Sequence, residues 1–191
     1  FIWKPTYRQT KASPPMPNIL ALDISSTAIG WCYLQDDRAP LAKSIALGTS
    51  KNDIADRCAK AQAEVGLLLA ACGSIDCVAI EAPVTLYPNA VIAQCRVAGA
   101  VLAELSAHGL AWCEVAPTAA KRALTGRGDA KKLQMLQSAA PHFNQDALFL
   151  EFAERRGRWA AWMNDFCVYD EHAADALGLA LACAPRVQVG V

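Results

Sequence analysis

Ile19-Leu20-Ala21-Leu22-Asp23 sets an acid at the end of four consecutive apolar residues. A continuous apolar run of this length reads as a central strand buried on both faces. Val78-Ala79-Ile80-Glu81 repeats the device further along the chain. An acid at the edge of a buried strand carries a desolvation cost unless something compensates it. One such acid is as readily a structural residue bonded to backbone amides. Two of them on two apolar strands point to a shared divalent cation that offsets both the burial and their mutual repulsion.

The elements around these strands follow from periodicity and punctuation. A second strand is predicted over Ala28–Leu34, reached through the polar turn Ser25-Ser26-Thr27, and a third over Leu41–Leu47. Ile54, Cys58, Ala61, Val65, Leu68 and Leu69 recur at helical spacing, predicting a helix over Asp53–Cys72 that Gly73 stops. Cys77–Glu81 is the fourth strand, Asn89–Ala107 a second helix and Leu110–Val115 a fifth strand. Short helices are expected from Thr118 to about Gly126 and from Asp129 to about Ala140, and a last one from Glu171 to Ala184, ended by Pro185. Three early strands with short links imply an antiparallel unit, and the later strand–helix alternation implies parallel additions: a mixed α/β sheet covered by helices. Residues 1–17, rich in proline and lacking acids, read as a flexible extension or cloning remnant, with the domain proper over 18–191.

The 191 residues fit one domain, and 54% apolar against 19% charged residues excludes a disordered chain. No apolar run is long enough to span a membrane, and no secretory signal is visible, so a cytoplasmic protein is expected. The 18 basic and 18 acidic residues cancel, so a basic bulk charge cannot argue for nucleic acid. That case is local: Lys121, Arg122, Arg127, Lys131 and Lys132 stand against Asp129 alone between Pro117 and Gln137. On charge alone this is as well a solvated basic face. Gly126-Arg127-Gly128 lacks the third glycine of a dinucleotide fingerprint and does not follow a strand directly. The eight cysteines form no Cys-x-x-Cys pair and mostly sit in apolar segments, which reads as buried reduced thiols and gives a zinc site little support.

His172 and Asp175 complete the candidate chemistry. Their i, i+3 spacing puts both on one helix face, and Ala173, Ala174, Ala176 and Gly178 around them let that helix lie close to a sheet. The plain alternative is an acid favouring the helix dipole. Together with Asp23 and Glu81, the set suits phosphodiester hydrolysis: hard ions take carboxylate oxygens, and a histidine can position water, contact phosphate or ligate an ion.

These blocks, in this order, resemble the RuvC family of Holliday-junction resolvases. Ile19–Asp23 with Gly30 resembles its first motif and Val78–Glu81 its second. Lys121 through Gly126-Arg127-Gly128 to Lys132 resembles its DNA-contacting segment, and His172-Ala173-Ala174-Asp175 its last motif. The resemblance implies a ribonuclease-H-like fold with a mixed five-stranded sheet flanked by helices. It also implies a homodimer, Mg²⁺ (or Mn²⁺) with two ions per site, and paired nicks in four-way DNA during recombination and repair. Asp23, Glu81 and Asp175 would be metal ligands, and His172 a ligand or water-positioning group. Lys121 and Lys132 would meet DNA, with Arg122, Arg127 and Lys131 beside them. Asp23-Ile24-Ser25-Ser26 and Glu81-Ala82 depart from the family pattern, and Tyr87 is the nearest counterpart of its junction-probing aromatic. Such departures fit a divergent, phage-encoded member. The competing readings are a related nuclease acting on other branched DNA or structured RNA, and a non-catalytic junction-binding protein. The Asn89–Ala107 helix, with Val91, Cys95, Ala98, Leu102 and Leu105 as an apolar stripe widened by Val97, Ala100 and Val101, is the expected dimer seam unless these residues pack on the chain's own sheet.

Overall fold

The structure, a computed structural model, describes residues 16–36, 38–83, 88–143 and 171–188. Five strands form one sheet: β1 (Ile19–Ile24), β2 (Ala28–Leu34), β3 (Leu41–Ala46), β4 (Cys77–Glu81) and β5 (Trp112–Val115), in spatial order β3-β2-β1-β4-β5. β1–β2 and β2–β3 pair antiparallel, while β1–β4 and β4–β5 pair parallel. The helices are α1 (Ile54–Ala71), α2 (Pro88–Ala107), α3 (Pro117–Thr125), α4 (Lys132–Ala139) and α5 (Glu171–Gln188).

Alternation along the strands divides the interior in two. Leu20, Leu22, Val78 and Ile80 face α1 and α2, against Val65, Leu69, Val97, Val101 and Leu105. Ile19, Ala21, Cys77 and Ala79 face the opposite layer of α3, α4 and α5, against Leu124, Met135, Leu177 and Leu179. Because side chains on a strand alternate every residue, Asp23 and Glu81 continue the second set and point toward α5. Burial of both faces accounts for the unbroken apolar runs of β1 and β4.

Most boundaries lie where the sequence places them. Asp53 caps α1, accepting from the Ala55 amide at 2.8 Å. α3 begins at Pro117 and not after Thr118, because proline suits the first helical position, and Gly126 ends it in the left-handed region at φ 77°. α5 runs past Pro185 to Gln188, correcting the predicted stop. The missing amide falls in the last turn, where Pro185 and Arg186 are exposed and one lost bond costs little. Pro17 is buried and Met16 packs against the core. The Asn89–Ala107 stripe divides, with Val97, Val101 and Leu105 fully buried in the chain's own core, while Ile92 and Cys95 stay exposed.

α5 is seated by glycine. Gly30 lies opposite Asp23 in the β1–β2 register, and a Cβ there would overlap the His172 carbonyl and come within 2.6 Å of the His172 Cβ. On the helix side, a Cβ at Gly178 would meet the Ala120 carbonyl oxygen at 2.9 Å. Backbone cannot yield as a flexible side chain does, so Gly30→Ala should destabilise the protein by about 1–3 kcal/mol. Gly99 in α2 has nothing within 4 Å of its added Cβ, and Gly99→Ala should stabilise by about 0.5–1 kcal/mol. Urea unfolding of the two variants checks the pair; equal stability of Gly30→Ala and the parent would disprove the seating.

Candidate active site

Asp23 is 7% exposed within β1. The α5 backbone lies so close over Gly30 that His172, in the first turn of α5, reaches it, and His172 Nδ1 stands 2.6 Å from Asp23 Oδ2. That distance is a short, charge-assisted contact across the layer between sheet and helix. One helical turn on, Asp175 is half-buried beneath the same helix, and Glu81 is half-buried at the end of β4, the strand adjoining β1.

The electrostatics show how near these groups are. Burial, followed by the charges of Asp23 and Asp175, pushes the Glu81 carboxyl up to about 7. Burial and then Asp23, with Glu171 adding to them, push Asp175 up to about 6. His172 and Lys121 pull both acids the other way without balancing them. Full ionisation of this set near neutral pH is therefore disfavoured for want of positive charge. A set of hard oxygen donors, buried together with an excess of negative charge, matches what a divalent cation neutralises, and the donor set fits Mg²⁺ or Mn²⁺.

The structure brings Asp23, Glu81, His172, Asp175 and Lys121 to one end of the sheet, Lys121 half-buried on α3. The other basic residues are divided. Arg127 is held at the surface by both carboxylate oxygens of Asp129, at 3.0 and 3.1 Å. Lys132 pairs with Glu171 at 2.5 Å, beside His172 in sequence. Arg122 and Lys131 are exposed. Tyr87 lies outside the described residues.

Two supporting residues were not legible in advance. Arg57, buried in α1, donates to the Ser26 carbonyl, and Gln94 of α2 donates to the Ile24 carbonyl at 2.8 Å. Together they fix the turn that leaves Asp23. Arg57 falls in phase with Ile54, Ala61, Val65 and Leu69 on the buried face of α1. A charged residue in that phase was the available signal.

No family model and no curated protein sequence matches the chain. Solved structures do. RuvC of T. thermophilus in complex with a Holliday-junction substrate superposes with a TM-score of 0.67 at 20% identity, over 91% of this chain and 96% of that one. A second T. thermophilus RuvC structure gives 0.60 at 22% identity, over 90% and 96%. The yeast mitochondrial Holliday junction resolvase Ydc2 gives 0.51 at 9% identity, over 95% and 89%. Nearly the whole length of each protein is shared, and the chain has the ribonuclease-H-like fold of the RuvC resolvases.

Proposed function

We propose that the chain is a structure-selective DNA endonuclease that resolves four-way junctions by divalent-metal-dependent phosphodiester hydrolysis, in the cytoplasm of a bacterium or a phage-infected host. The observation that carries this reading is the gathering of Asp23, Glu81 and Asp175 from β1, β4 and α5, with His172 fixed on Asp23, in a fold shared with junction resolvases. All the positions that chemistry would use hold competent side chains, which disfavours a purely binding role.

Asp23, Glu81 and Asp175 would hold the ions. Divalent ions held there would supply activation of the attacking water and neutralisation of charge on the phosphoryl and leaving oxygens. Asp23 sets the orientation of the His172 ring through the Nδ1 contact, so the ring is aimed before substrate arrives. Lys121 of α3, whose charge acts on both Glu81 and Asp175, would meet a backbone phosphate there. Burial at the end of the sheet keeps the carboxylates from being screened by solvent.

Since a junction presents two opposed strands, the reading includes a homodimer with one site per subunit. With Val97, Val101 and Leu105 committed to the chain's own core, an α2 seam would have to use its exposed side around Ile92 and Cys95. Sedimentation with and without a junction tests this.

The primary experiment is cleavage of an end-labelled four-way junction with Mg²⁺, mapping nicks on every strand. Paired symmetric nicks are expected. Equal cutting of linear duplex would reject junction selectivity, and no cutting of any branched substrate with Mg²⁺ or Mn²⁺ would reject the nuclease. Asp23→Asn should abolish cleavage and leave junction binding intact, read by gel shift.

The raised acids give a second test independent of activity. The folded, metal-free state binds the Glu81 proton up to about 7, against 4.5 ordinarily. Its stability therefore falls as pH rises through that window. Glu81→Gln removes the repulsion. It should be more stable than the parent without metal near pH 8, by on the order of 2 kcal/mol, and gain nothing near pH 4. Mg²⁺ should raise the melting temperature of the parent far more than that of the variant.

The basic residues are separable by salt dependence. Lys121→Ala should lower the salt slope of junction binding by about one counterion, and Lys132→Ala by less, because Glu171 already neutralises that ammonium. Arg127→Ala should change it less, because Asp129 already neutralises that guanidinium. Unchanged slopes for both lysines would show them to be solvated charges only.

A further inference from the structure

Cys77, Cys113 and Cys183 are far apart in sequence and meet in space. Cys113 Sγ lies 3.1 Å from Cys183 Sγ, Cys183 Sγ lies 3.9 Å from Cys77 Sγ, and all three sulfurs are within 4.8 Å of one another. Among the described residues this is the one trio of potential metal ligands so tightly gathered. It stands apart from the acids. Cys77 opens β4 and Glu81 closes it, which separates the two by about 13 Å along the strand. Cys183 lies on α5 two turns beyond Asp175, about 12 Å along the helix.

We propose that Cys77, Cys113 and Cys183 form a metal site of their own for a soft, thiophilic ion such as Zn²⁺ or Cu⁺, chemically separate from the carboxylate cluster. Four sulfurs at about 2.3 Å from a tetrahedral ion lie about 3.8 Å apart, and the observed separations bracket that value. The donors are all sulfur, in the core cluster that also holds Val115, Leu179 and Ala180, with the charge of Arg186 acting on Cys113 and that of Asp76 on Cys77. Thiolates in such a setting select soft ions over Mg²⁺ or Ca²⁺. Of the carboxylates adjoining the trio in sequence, Asp76 is engaged by the Asn18 amide at 2.7 Å, and Glu114 follows Cys113 on β5 and so projects from the opposite face of the strand, so three thiolates are the protein's own ligands. Each thiol that ligates releases its proton to solvent. Cys183 is fully buried and Cys77 nearly so, while Cys113, half-buried on the edge strand β5, supplies the entry side. An ion there would tie β4, β5 and α5 together, the first and last of which carry Glu81 and Asp175. The site does not depend on the nuclease reading.

The test is anaerobic titration of the full, reduced chain with Cd²⁺ as probe, in excess Mg²⁺ to occupy the carboxylates, followed by ultraviolet thiolate-to-metal charge-transfer absorbance. Saturation at about one ion per chain, with a higher melting temperature, is expected. Zn²⁺ and Cu⁺ added in competition identify the preferred ion by displacing Cd²⁺. Cys113→Ser, a half-buried change with small folding risk, should remove the absorbance, and Cys95→Ser, at an exposed thiol elsewhere, should leave it. Absence of the band in the parent, or its persistence in Cys113→Ser, overturns the site. So does a parent that binds no metal when reduced and instead forms a Cys113–Cys183 disulfide in air.

Discussion

Where α5 crosses β2 there is no room for a side chain, and the arrangement of the acids depends on that crossing. The His172 carbonyl occupies the space that a Cβ at Gly30 would need, so the helix backbone rests directly on the strand at that point. Only at this depth can Nδ1 of His172 come within 2.6 Å of a carboxylate rooted in β1. The alanines at 173, 174 and 176 serve the same end, each buried where a larger residue would hold the helix away. Gly178 extends the close packing to α3, and through α3 to Lys121. A pair of glycines and a run of alanines thus set the positions of groups that they do not themselves contain.

That proximity has an electrostatic cost. Three acids share a partly buried corner, and His172 and Lys121 leave Glu81 and Asp175 titrating well above ordinary carboxyls. Neighbouring charges that oppose folding are a common feature of sites whose business is to bind an opposite charge. The large two-sided core elsewhere in the sheet, which includes fully buried Ile19, Leu20, Leu22, Val78 and Leu177, is what allows the fold to tolerate this corner.

Strands β1 and β4 were legible because burial on both faces leaves a run of apolar residues that no amphipathic element would show, and the acids at their ends stood out against it. The helix face bearing His172 and Asp175 was legible from spacing alone. Pairings between distant segments were not. Nothing local announces that Lys132 will meet Glu171, or that Arg57 will reach across to the Ser26 carbonyl. The cysteine trio was hidden for the same reason: its members come from two strands and a helix, so no short motif records them. The apolar excess of α2 suggested a surface stripe, yet most of it fills the space between α1 and the sheet, because a helix pressed between two partners is apolar over more than one face.

The sheet's connectivity also bears on when this arrangement can exist. Asp23 and His172 are separated by 149 residues, so their contact closes one of the longest loops the chain makes. Contacts of such high sequence separation form late, after local pairings such as β1–β2–β3 have already reduced the entropy of closure. During synthesis the first two acids emerge well before the helix that overlies them. A nascent chain can complete most of its sheet while the acidic corner still stands open to water. The arrangement comes into being only when α5 docks, in the same step that covers Ala21, Ala79 and Cys32. Docking of that helix therefore couples assembly of the site to completion of the hydrophobic core, and an incompletely folded chain has neither.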